Sequence, residues 1–533
     1  MSWDCLPYDV QVMVWDTMAE KNIDTTPTRT PTHPLTDYSA VCNKWQDAFT
    51  GNLWRRLSLT QSSLPEMEMI LAASPHLRSL IQDIHLRIEL ETYNCQTCAT
   101  ASFKWSLQQA TDSETVERAI SRLFSCLSTW DTPTVAGLRL EISAVSSSDR
   151  EHVFQADVYL DSEDYAEDQG LIETELHDLR HGYAHGERTD APNLAALQKV
   201  FNVGLFPSFK ENLLAKVPAV KTLLLRRQTR RLLGLEALQG IFGSLPKLET
   251  LIFEPWRAFD RSESEEYGVD KVYCDVIMGS LPSTLKNLTL FEDFNEDFNL
   301  VYASEAAQAR WLVTPELVRT PSPSLGLAFA SSSLGMTNLS ASYLVDARDF
   351  FSAAMGEPMV DQIWDKLECL TLTSPLLGDE LNAHDVAAML VDAGRTAQRM
   401  PKLRLMEIWY GMRETACVFR YRIEDGVSTI SWEGTWSLTL ATSAMAKAWQ
   451  GVAESHTGRD LKVRTAQAEP LDTEHVKSHA HAVAQLGLCS NVAHPASLEE
   501  IRREADVYSF VPSIWSFEMV SRFLAGVDMP EFN

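Results

Sequence analysis

Two cysteines, Cys95 and Cys98, stand three positions apart in the only CxxC motif of the sequence. Thiolates at this spacing are typical of tetrahedral zinc sites and of disulfide-exchanging enzymes. A structural zinc site needs four ligands, and no second pair of Cys or His follows at the usual spacing. A redox pair belongs at the start of a helix in a thioredoxin-like unit, whereas this pair follows a predicted strand. The sequence therefore predicts neither a metal site nor a redox site here.

Two groups of closely spaced histidines are His177, His181 and His185, and His475, His479 and His481. On a helix the first three would share one face and could bind a transition metal. Gly182 and Gly186 weaken that helix, and the segment adjoins an acidic stretch. We therefore interpret these side chains as ordinary solvated histidines.

The acidic stretch lies between Arg150 and Arg180, where ten carboxylates occur without a Lys or Arg. Such a run is typical of a solvated, poorly ordered insertion, which we place at about 151–180. Its carboxylates lack the spacing of a calcium-binding loop. Motifs for phosphate binding, dinucleotide binding, serine hydrolysis and zinc proteolysis do not occur either. We expect a protein without catalytic residues, metal or cofactor.

The chain has 533 residues, more than one hydrophobic core normally accommodates, so several domains or a repeat array are expected. Its 46 basic and 73 acidic residues give a net charge of −27, which disfavours nucleic acid and anionic membranes as partners. Neither a secretory signal nor an apolar stretch of membrane-spanning length occurs. Nine scattered cysteines fit a reducing compartment, so an intracellular location, in cytoplasm or nucleus, is predicted.

A repeated pattern places apolar residues at i, i+3 and i+5, often after a proline, as in "LPKLETLIF". Its central positions are Ile84, Leu138, Leu223, Leu251, Leu288, Leu339, Leu370 and Met406. Proline before a short alternating strand is typical of leucine-rich repeats, in which strands and helices alternate. The unequal spacing of these positions predicts an irregular α/β solenoid over 59–410. An unrelated α/β domain is the alternative.

The last part of the chain, 411–533, has a different pattern. Apolar and polar residues alternate on both sides of Asp425-Gly426, which predicts a β-hairpin. Three helices are predicted after it, around 444–456, 473–486 and 497–508, the last with Ser497 as a possible cap. We interpret this part as a terminal cap of the solenoid or as a small α+β appendage.

The first part of the chain, 1–58, contains apolar residues at helical spacing. Pro7 suits the first turn of a helix whose apolar side chains are Val10, Met13, Val14 and Met18. A threonine- and proline-rich loop ends this helix. Two further short helices are predicted from a second apolar group, Val41, Trp45, Phe49, Leu53 and Trp54.

This N-terminal order resembles an F-box, which has a leucine-proline pair and then L-x-x-Y-x-x-V-C-x-x-W-Q. The matching residues are Leu6, Pro7, Leu35, Tyr38, Val41, Cys42, Trp45 and Gln46. The whole chain resembles fungal F-box proteins with irregular leucine-rich repeats, through "IHLRIELETYNCQTC", "SASYLVDARDFF", "FRYRIEDG" and "IRRE". The loop between the first two helices is longer than usual, which leaves the helix ends open. A helical cap on the repeat array is the alternative.

The resemblance implies a non-catalytic substrate receptor of a Skp–cullin–F-box ubiquitin ligase. Its F-box would bind a Skp-type adaptor, and through it a cullin, by Leu6, Pro7, Val10, Val14, Leu35, Val41, Cys42, Trp45 and Trp54. An unknown target protein would contact the side chains that the strands leave on the other face, namely His85, Arg87, Arg139, Glu141, Arg226, Glu254, Phe291 and Trp409. The alternative is a scaffold or regulatory protein that acts outside a ubiquitin ligase.

Overall fold

The computed structural model of the protein describes residues 7, 10–15, 39–98, 104–130, 137–162, 177–202, 204–209, 214–257, 269–298, 301, 321–440, 443–464 and 471–507. Residues 10–15 are helical. The helices that follow are α1 (Asn43–Arg55), α2 (Leu64–Ala73), α3 (Lys104–Leu127), α4 (Ser147–Glu151), α5 (Leu194–Leu197), α6 (Leu235–Gly243), α7 (Val269–Gly279), α8 (Pro323–Ser332), α9 (Ala347–Met355), α10 (Ala383–Ala397), α11 (Ser443–Thr457), α12 (His479–Leu486) and α13 (Pro495–Val507).

The strands are β1 (Arg56–Thr60), β2 (Asp83–Glu89), β3 (Leu138–Val145), β4 (Tyr183–Ala184), β5 (Glu187–Arg188), β6 (Val220–Leu225), β7 (Thr250–Phe253), β8 (Asn287–Phe291), β9 (Asn338–Asp346), β10 (Cys369–Thr373), β11 (Leu405–Met412), β12 (Thr415–Glu424), β13 (Val427–Gly434) and β14 (Lys462–Arg464). Helices alternate with strands over most of the described chain, so the protein has the predicted α/β class.

One 12-stranded sheet contains every named strand except β4 and β5, which form a separate hairpin. The strands β1 to β3 and β6 to β11 lie side by side and parallel, in the order in which they occur along the chain. β12 and β13 extend the sheet in antiparallel orientation, and β14 pairs in parallel with β13. Parallel neighbours need crossover connections, and the intervening helices lie within them.

The register of the parallel strands aligns one apolar side chain from each strand. These residues are Leu57, Ile84, Leu140, Leu223, Leu251, Leu288, Leu339, Leu370 and Met406. The sequence pattern placed Leu138 in this row, but Leu138 pairs with Val220, and a register shift after it brings Leu140 into line. The other predicted central positions are the ones that the sheet aligns.

A layer of helices covers the face to which these residues point. α6 to α11 contact one another in succession, and α2 contacts α3. Leu325 and Phe329 of α8 and Phe350 of α9 are fully buried in the same core cluster as the aligned strand residues. Each such burial contributes about 1.5–3 kcal/mol, so the contact of the helix layer with the sheet is a large source of hydrophobic stabilisation.

The predicted hairpin after β12 is confirmed. Asp425 and Gly426 have φ values of 51° and 69°, as a two-residue turn between twisted antiparallel strands requires. α11, α12 and α13 confirm the three helices predicted after it. The predicted cap is wrong, because α13 begins at Pro495 and Ser497 lies inside the helix.

The predicted acidic insertion lies partly outside the described residues, which exclude 163–176. Its first part is not solvated: Phe154, Ala156 and Leu160 are buried in apolar clusters, and Asp157 is buried against Arg230. Disorder was predicted because no Lys or Arg lies nearby in the sequence. In the folded protein a distant arginine pairs with the carboxylate, and apolar neighbours bury the rest, so this part is ordered.

The predicted boundaries at 58/59 and 410/411 both fall within strands of the large sheet, β1 and β11. The sheet thus continues through the end of the N-terminal part and into the C-terminal part. Among the described helices, none combines the length and the apolar composition needed to cross a lipid bilayer.

Candidate functional site

The N-terminal module, defined by its described residues 7, 10–15 and 39–55, is organised around aromatic rings. The rings of Trp15 and Trp45 pack edge to face with centroids 6.3 Å apart, and those of Trp45 and Phe49 lie 5.9 Å apart. Trp15 and Phe49 are buried, whereas Trp45 is half-buried. Trp45 therefore helps to hold helix 10–15 against α1.

The predicted adaptor-binding residues fall into three groups. Leu6 and Leu35 lie outside the described residues. The exposed members are Pro7, Val10, Val41 and Cys42. Val14, Trp45 and Trp54 are half-buried, and Trp54 packs against the main core. The four exposed residues all belong to the N-terminal module. Trp54 belongs to it as well, but packs against the core of the sheet.

The second predicted surface, the face of the sheet opposite the helix layer, is called the outer face below. The chain's own residues 471–507 cover much of it. The Glu407 carboxylate on β11 accepts a hydrogen bond from the Cys489 backbone N–H at 3.0 Å. Glu254, directly after β7, accepts one from the His494 N–H at 2.6 Å. The segment therefore crosses the sheet against the order of the strands.

Helix α12 packs closely on β11 and β12. Gly411 makes this possible, because a Cβ atom at this position would lie 2.3 Å from the Cβ of Ala482. His479 of the same helix is buried, with its Nε2 3.0 Å from Asp293 Oδ1 and its ring stacked on Phe294. The interpretation of His479 as solvated is therefore wrong.

Helix α13 adds a buried layer of charge. Glu500 Oε1 lies 2.9 Å from Arg226 Nη2, and Glu504 Oε2 lies 2.7 Å from Arg227 Nη2. Glu141 on β3 is a second partner of Arg226, at 3.3 Å. Burial lowers the pKa of Arg226, and the Glu500 and Glu141 carboxylates more than offset this, so its pKa is raised. The guanidinium therefore stays charged.

Two more arginines belong to the same network. Arg230 pairs with Asp157, and Arg231 pairs with Asp149 through both terminal nitrogens. All four residues are buried. Only Arg226, the first arginine of this run, was predicted to be functional from the sequence. The run "RRQTRR" directly after a strand, together with the glutamates of 499–504, indicates such a network.

The covering segment changes the interpretation of the predicted target-binding residues. Glu141, Arg226, Glu254, Phe291 and Trp409 are all buried, so the expectation that they are exposed is wrong. Their outward direction was assigned correctly, because strand alternation determines it. Strand alternation alone carries no information about a distant segment that packs on top.

Three of the predicted residues remain accessible, at the end of the outer face formed by β1 to β3. Arg87 is exposed, and His85 and Arg139 are partly exposed. His85 and Arg139 line a cavity of about 110 Å³ together with Asp83 and Asp161. Burial lowers the pKa of His85, against the opposing effect of Glu141. This region, called the open end, is polar and can donate and accept hydrogen bonds.

A cleft of about 550 Å³ lies where several strands begin, and sequence reasoning did not identify it. Its lining includes Lys221, Lys247, Lys286 and Lys366. Glu249 lies 2.7 Å from Lys286 and 3.3 Å from Lys221, and its pKa is lowered, mainly by the Lys286 hydrogen bond. The signal was a lysine near the start of several strands: Lys247, Lys286 and Lys366 precede β7, β8 and β10, and Lys221 is the second residue of β6. Four lysines around one glutamate can attract a carboxylate or a phosphate.

A cluster of two cysteines and two histidines lies beside the sheet, formed by Cys95, Cys98, His152 and His181. Cys95 Sγ lies 3.2 Å from His152 Nδ1 and 3.5 Å from His181 Nε2. Cys98 Sγ lies 3.6 Å from the same nitrogen of His181. Cys98 and His181 are buried, and the other two are half-buried. The interpretation of His181 as solvated is therefore wrong, and His152 was not considered at all.

Local structure explains this convergence. The CxxC turn follows β2, and His152 follows α4, directly after β3. β2 and β3 are parallel neighbours, so their carboxyl ends lie at the same edge of the sheet. His181 ends a 3₁₀ turn that Gly182 closes with a φ of 82°, where a helix over 177–185 was considered. His177 and His185 are exposed.

Comparison with known proteins concerns the C-terminal half of the sheet. Residues 280–494, less than half of the chain, match a family of unknown function (DUF6546). The matched range begins directly after α7 and ends between α12 and α13, so it includes much of the covering segment. The N-terminal module and the Cys–His cluster lie outside it. No curated protein has a sequence that matches this chain.

Proposed function

We propose that this protein is the non-catalytic substrate-receptor subunit of a Skp–cullin–F-box ubiquitin ligase. Residues 1–58 act as an F-box, 59–410 form an irregular leucine-rich-repeat-like solenoid, and 411–533 cap it. Nine parallel strands in chain order support the solenoid, because each repeat then packs only on its neighbours. The receptor contributes proximity: it raises the effective concentration of a target near the ubiquitin-carrying enzyme.

The observation that carries this proposal is a set of exposed apolar side chains on the N-terminal module. Val10, Met13 and Val41 expose 40%, 67% and 60% of their surface. Exposed apolar groups on a module with its own aromatic core are typical of a surface that a partner covers. A helical cap on the repeat array would direct such groups into the array.

The proposed target-binding surface is the open end, with His85, Arg87 and Arg139. The other predicted target-binding residues, all within the described part of the chain, are buried, and 471–507 covers much of their face. Among the predicted residues, those of the open end are therefore the ones that a target can reach. β1 follows α1 without a linker, so the open end begins beside the N-terminal module, which supports a shared role of the two regions in bringing a target to the adaptor. The lysine cleft offers a second contact suited to an acidic part of the target.

The test uses a charge placed on the exposed apolar surface. The double variant Val10→Glu/Val41→Glu should weaken binding to a Skp-type adaptor by about 2 kcal/mol or more, roughly 30-fold in Kd. Calorimetry on the full chain measures this, and circular dichroism verifies that the fold is retained. Trp45→Ala is a poorer probe, because Trp45 packs against Trp15 and its loss disturbs the module itself.

Met69→Glu is the matched control, since Met69 on α2 is 67% exposed and lies outside the module. It should leave the adaptor affinity unchanged. Equal binding by the double variant and the wild type would refute the proposed interface. A wild-type chain without adaptor affinity would favour the scaffold or regulatory alternative.

A further inference from the structure

We propose that Cys95, Cys98, His152 and His181 bind one zinc ion in a structural site. The site does not depend on the ligase function: it concerns a different region of the chain, next to the carboxyl ends of β2 and β3. It combines the CxxC motif with two histidines that lie 54 and 83 residues beyond Cys98.

The spacing of the ligand atoms fits tetrahedral zinc. Bond lengths of about 2.3 Å to sulfur and 2.0–2.1 Å to nitrogen place an S and an N of one tetrahedron about 3.5 Å apart. Three of the four sulfur–nitrogen pairs in the cluster lie 3.2, 3.5 and 3.6 Å apart: Cys95 with His152, Cys95 with His181, and Cys98 with His181. The ligand atoms of Cys95, His152 and His181 also lie within 4.8 Å of one another.

The second nitrogen of each histidine is already engaged. His181 Nδ1 lies 2.6 Å from Asp178 Oδ2, and His152 Nε2 lies 3.1 Å from the Tyr93 carbonyl oxygen. Both acceptors require a hydrogen on the nitrogen that they contact. The lone pairs of the opposite nitrogens therefore point at the two sulfurs. A carboxylate or carbonyl behind each histidine is the usual outer shell of a zinc site.

The donor set selects the metal and its role. Two thiolates and two imidazoles are borderline-soft ligands, which zinc prefers and calcium or magnesium does not. Four protein ligands leave no position for water or substrate, so the site is structural rather than catalytic. Two thiolates also neutralise the charge of the ion, which suits the burial of Cys98 and His181.

The ion would join three segments that otherwise share little regular structure: the turn after β2, the end of α4, and the β4–β5 hairpin region. The Tyr93 hydroxyl donates to Asp149 at 2.8 Å, and Asp149 is the buried partner of Arg231. The site therefore also supports the buried charge layer beneath α13. Loss of the ion should loosen residues 91–98 and 177–202 first.

The first experiment uses the full chain, purified under reducing conditions without added metal. Elemental analysis should find one zinc per chain. Replacement of zinc by cobalt should produce the visible absorption bands of a tetrahedral cobalt thiolate site. A chelator should increase hydrogen exchange in 177–202 while leaving β8 to β11 protected.

Matched variants locate the ligands. Cys95→Ser and His181→Ala should each remove the bound zinc, whereas Cys42→Ser and His177→Ala should retain it; Cys42 and His177 are exposed and lie outside the cluster. Reduced wild-type chain without zinc and without cobalt bands would overturn the proposal, as would a disulfide between Cys95 and Cys98. If a ligand variant misfolds, the cobalt spectrum of the wild type still decides.

Discussion

Buried ion pairs between individual side chains fix the covering segment 471–507 to the sheet. Arg226 is fully buried between Glu141 and Glu500, and its guanidinium also donates to the Leu160 carbonyl at 3.0 Å and to Ser497 Oγ at 3.1 Å. Arg226→Met would remove the Arg226 cation from Glu141 and Glu500, both buried, and leave Glu500 with only Arg227 Nη1, 3.3 Å from its Oε2, as a cationic partner. We expect this variant to lose about 3–5 kcal/mol of unfolding free energy, measured by urea denaturation.

Arg395→Met is the control for that substitution. Arg395 pairs with Asp392 on the exposed face of α10, where water already screens both charges. The expected loss is below about 1 kcal/mol. Similar losses for the two variants would mean that the charge layer beneath α13 does not form as described.

His494 should make this region sensitive to acid. Burial, together with the neighbouring Arg226, lowers the pKa of His494 to about 3. In the unfolded chain the His494 imidazole has a pKa near 6.5. Between pH 6.5 and 3 the unfolded state therefore binds more protons than the folded state. Stability is therefore complete above pH 6.5 and falls as the pH drops toward 3. The Ala496 N–H donates to His494 Nδ1, as a neutral ring allows.

The comparison of wild type with His494→Gln isolates this effect. Between pH 7.5 and 5 the wild type should lose up to about 2 kcal/mol more unfolding free energy than the variant. Other groups that titrate in this range cancel in the difference. A difference that stays constant over this range would show that the pKa of His494 is the same in the folded and the unfolded protein, which contradicts the lowered pKa.

At the residue scale the sequence predicted the face of the sheet to which a side chain points better than it predicted whether that side chain is buried. Alternation along the strands placed Glu141, Phe291 and Trp409 on the correct face. Their burial depends on a segment 70 to 360 residues away along the chain, and a local pattern contains no information about such contacts. For the same reason Cys95 and His152 were not connected, although the carboxyl ends of the parallel strands β2 and β3 bring their segments together.

At the element scale, close packing of α12 on β11 depends on Gly411. Gly411→Ala would bring a methyl group against Ala482, and overpacking of this kind costs about 1–3 kcal/mol. We expect a lower Tm and faster proteolysis within 471–507. Gly279→Ala is the control, because a Cβ at Gly279 meets nothing within 4 Å. Equal behaviour of the two variants would argue against tight contact between α12 and β11.

The elements that the sequence predicted well have strong local signals. The repeat strands have alternating apolar residues, and the hairpin has Asp425-Gly426 at its turn. The register of β3 was missed by two residues, since the pattern of Val135, Leu138 and Leu140 is centred on Leu138 and only the register shift opposite β6 brings Leu140 into line. The path of residues 486–500 across the outer face depends on ion pairs with distant residues, which periodicity does not show.

At the scale of the whole molecule, two surfaces differ in how the chain covers them: the outer face of the sheet and the surface of the N-terminal module. Residues 471–507 return across the sheet toward β6 and bury much of the outer face, while the N-terminal module keeps apolar groups in solvent. The net charge of −27 hides this arrangement, because many arginines are buried in ion pairs and four lysines gather in one cleft. The module and the adjacent open end are therefore where we expect partners to bind.

Hydrogen exchange of the full chain with and without a Skp-type adaptor tests the central claim most directly. The account predicts a stable complex in which helix 10–15 and residues 39–55 become protected, while β6 to β11 and 471–507 are unchanged. Failure to form a complex, or protection confined to the open end or the lysine cleft, would contradict the assignment of the N-terminal module as the adaptor-binding part.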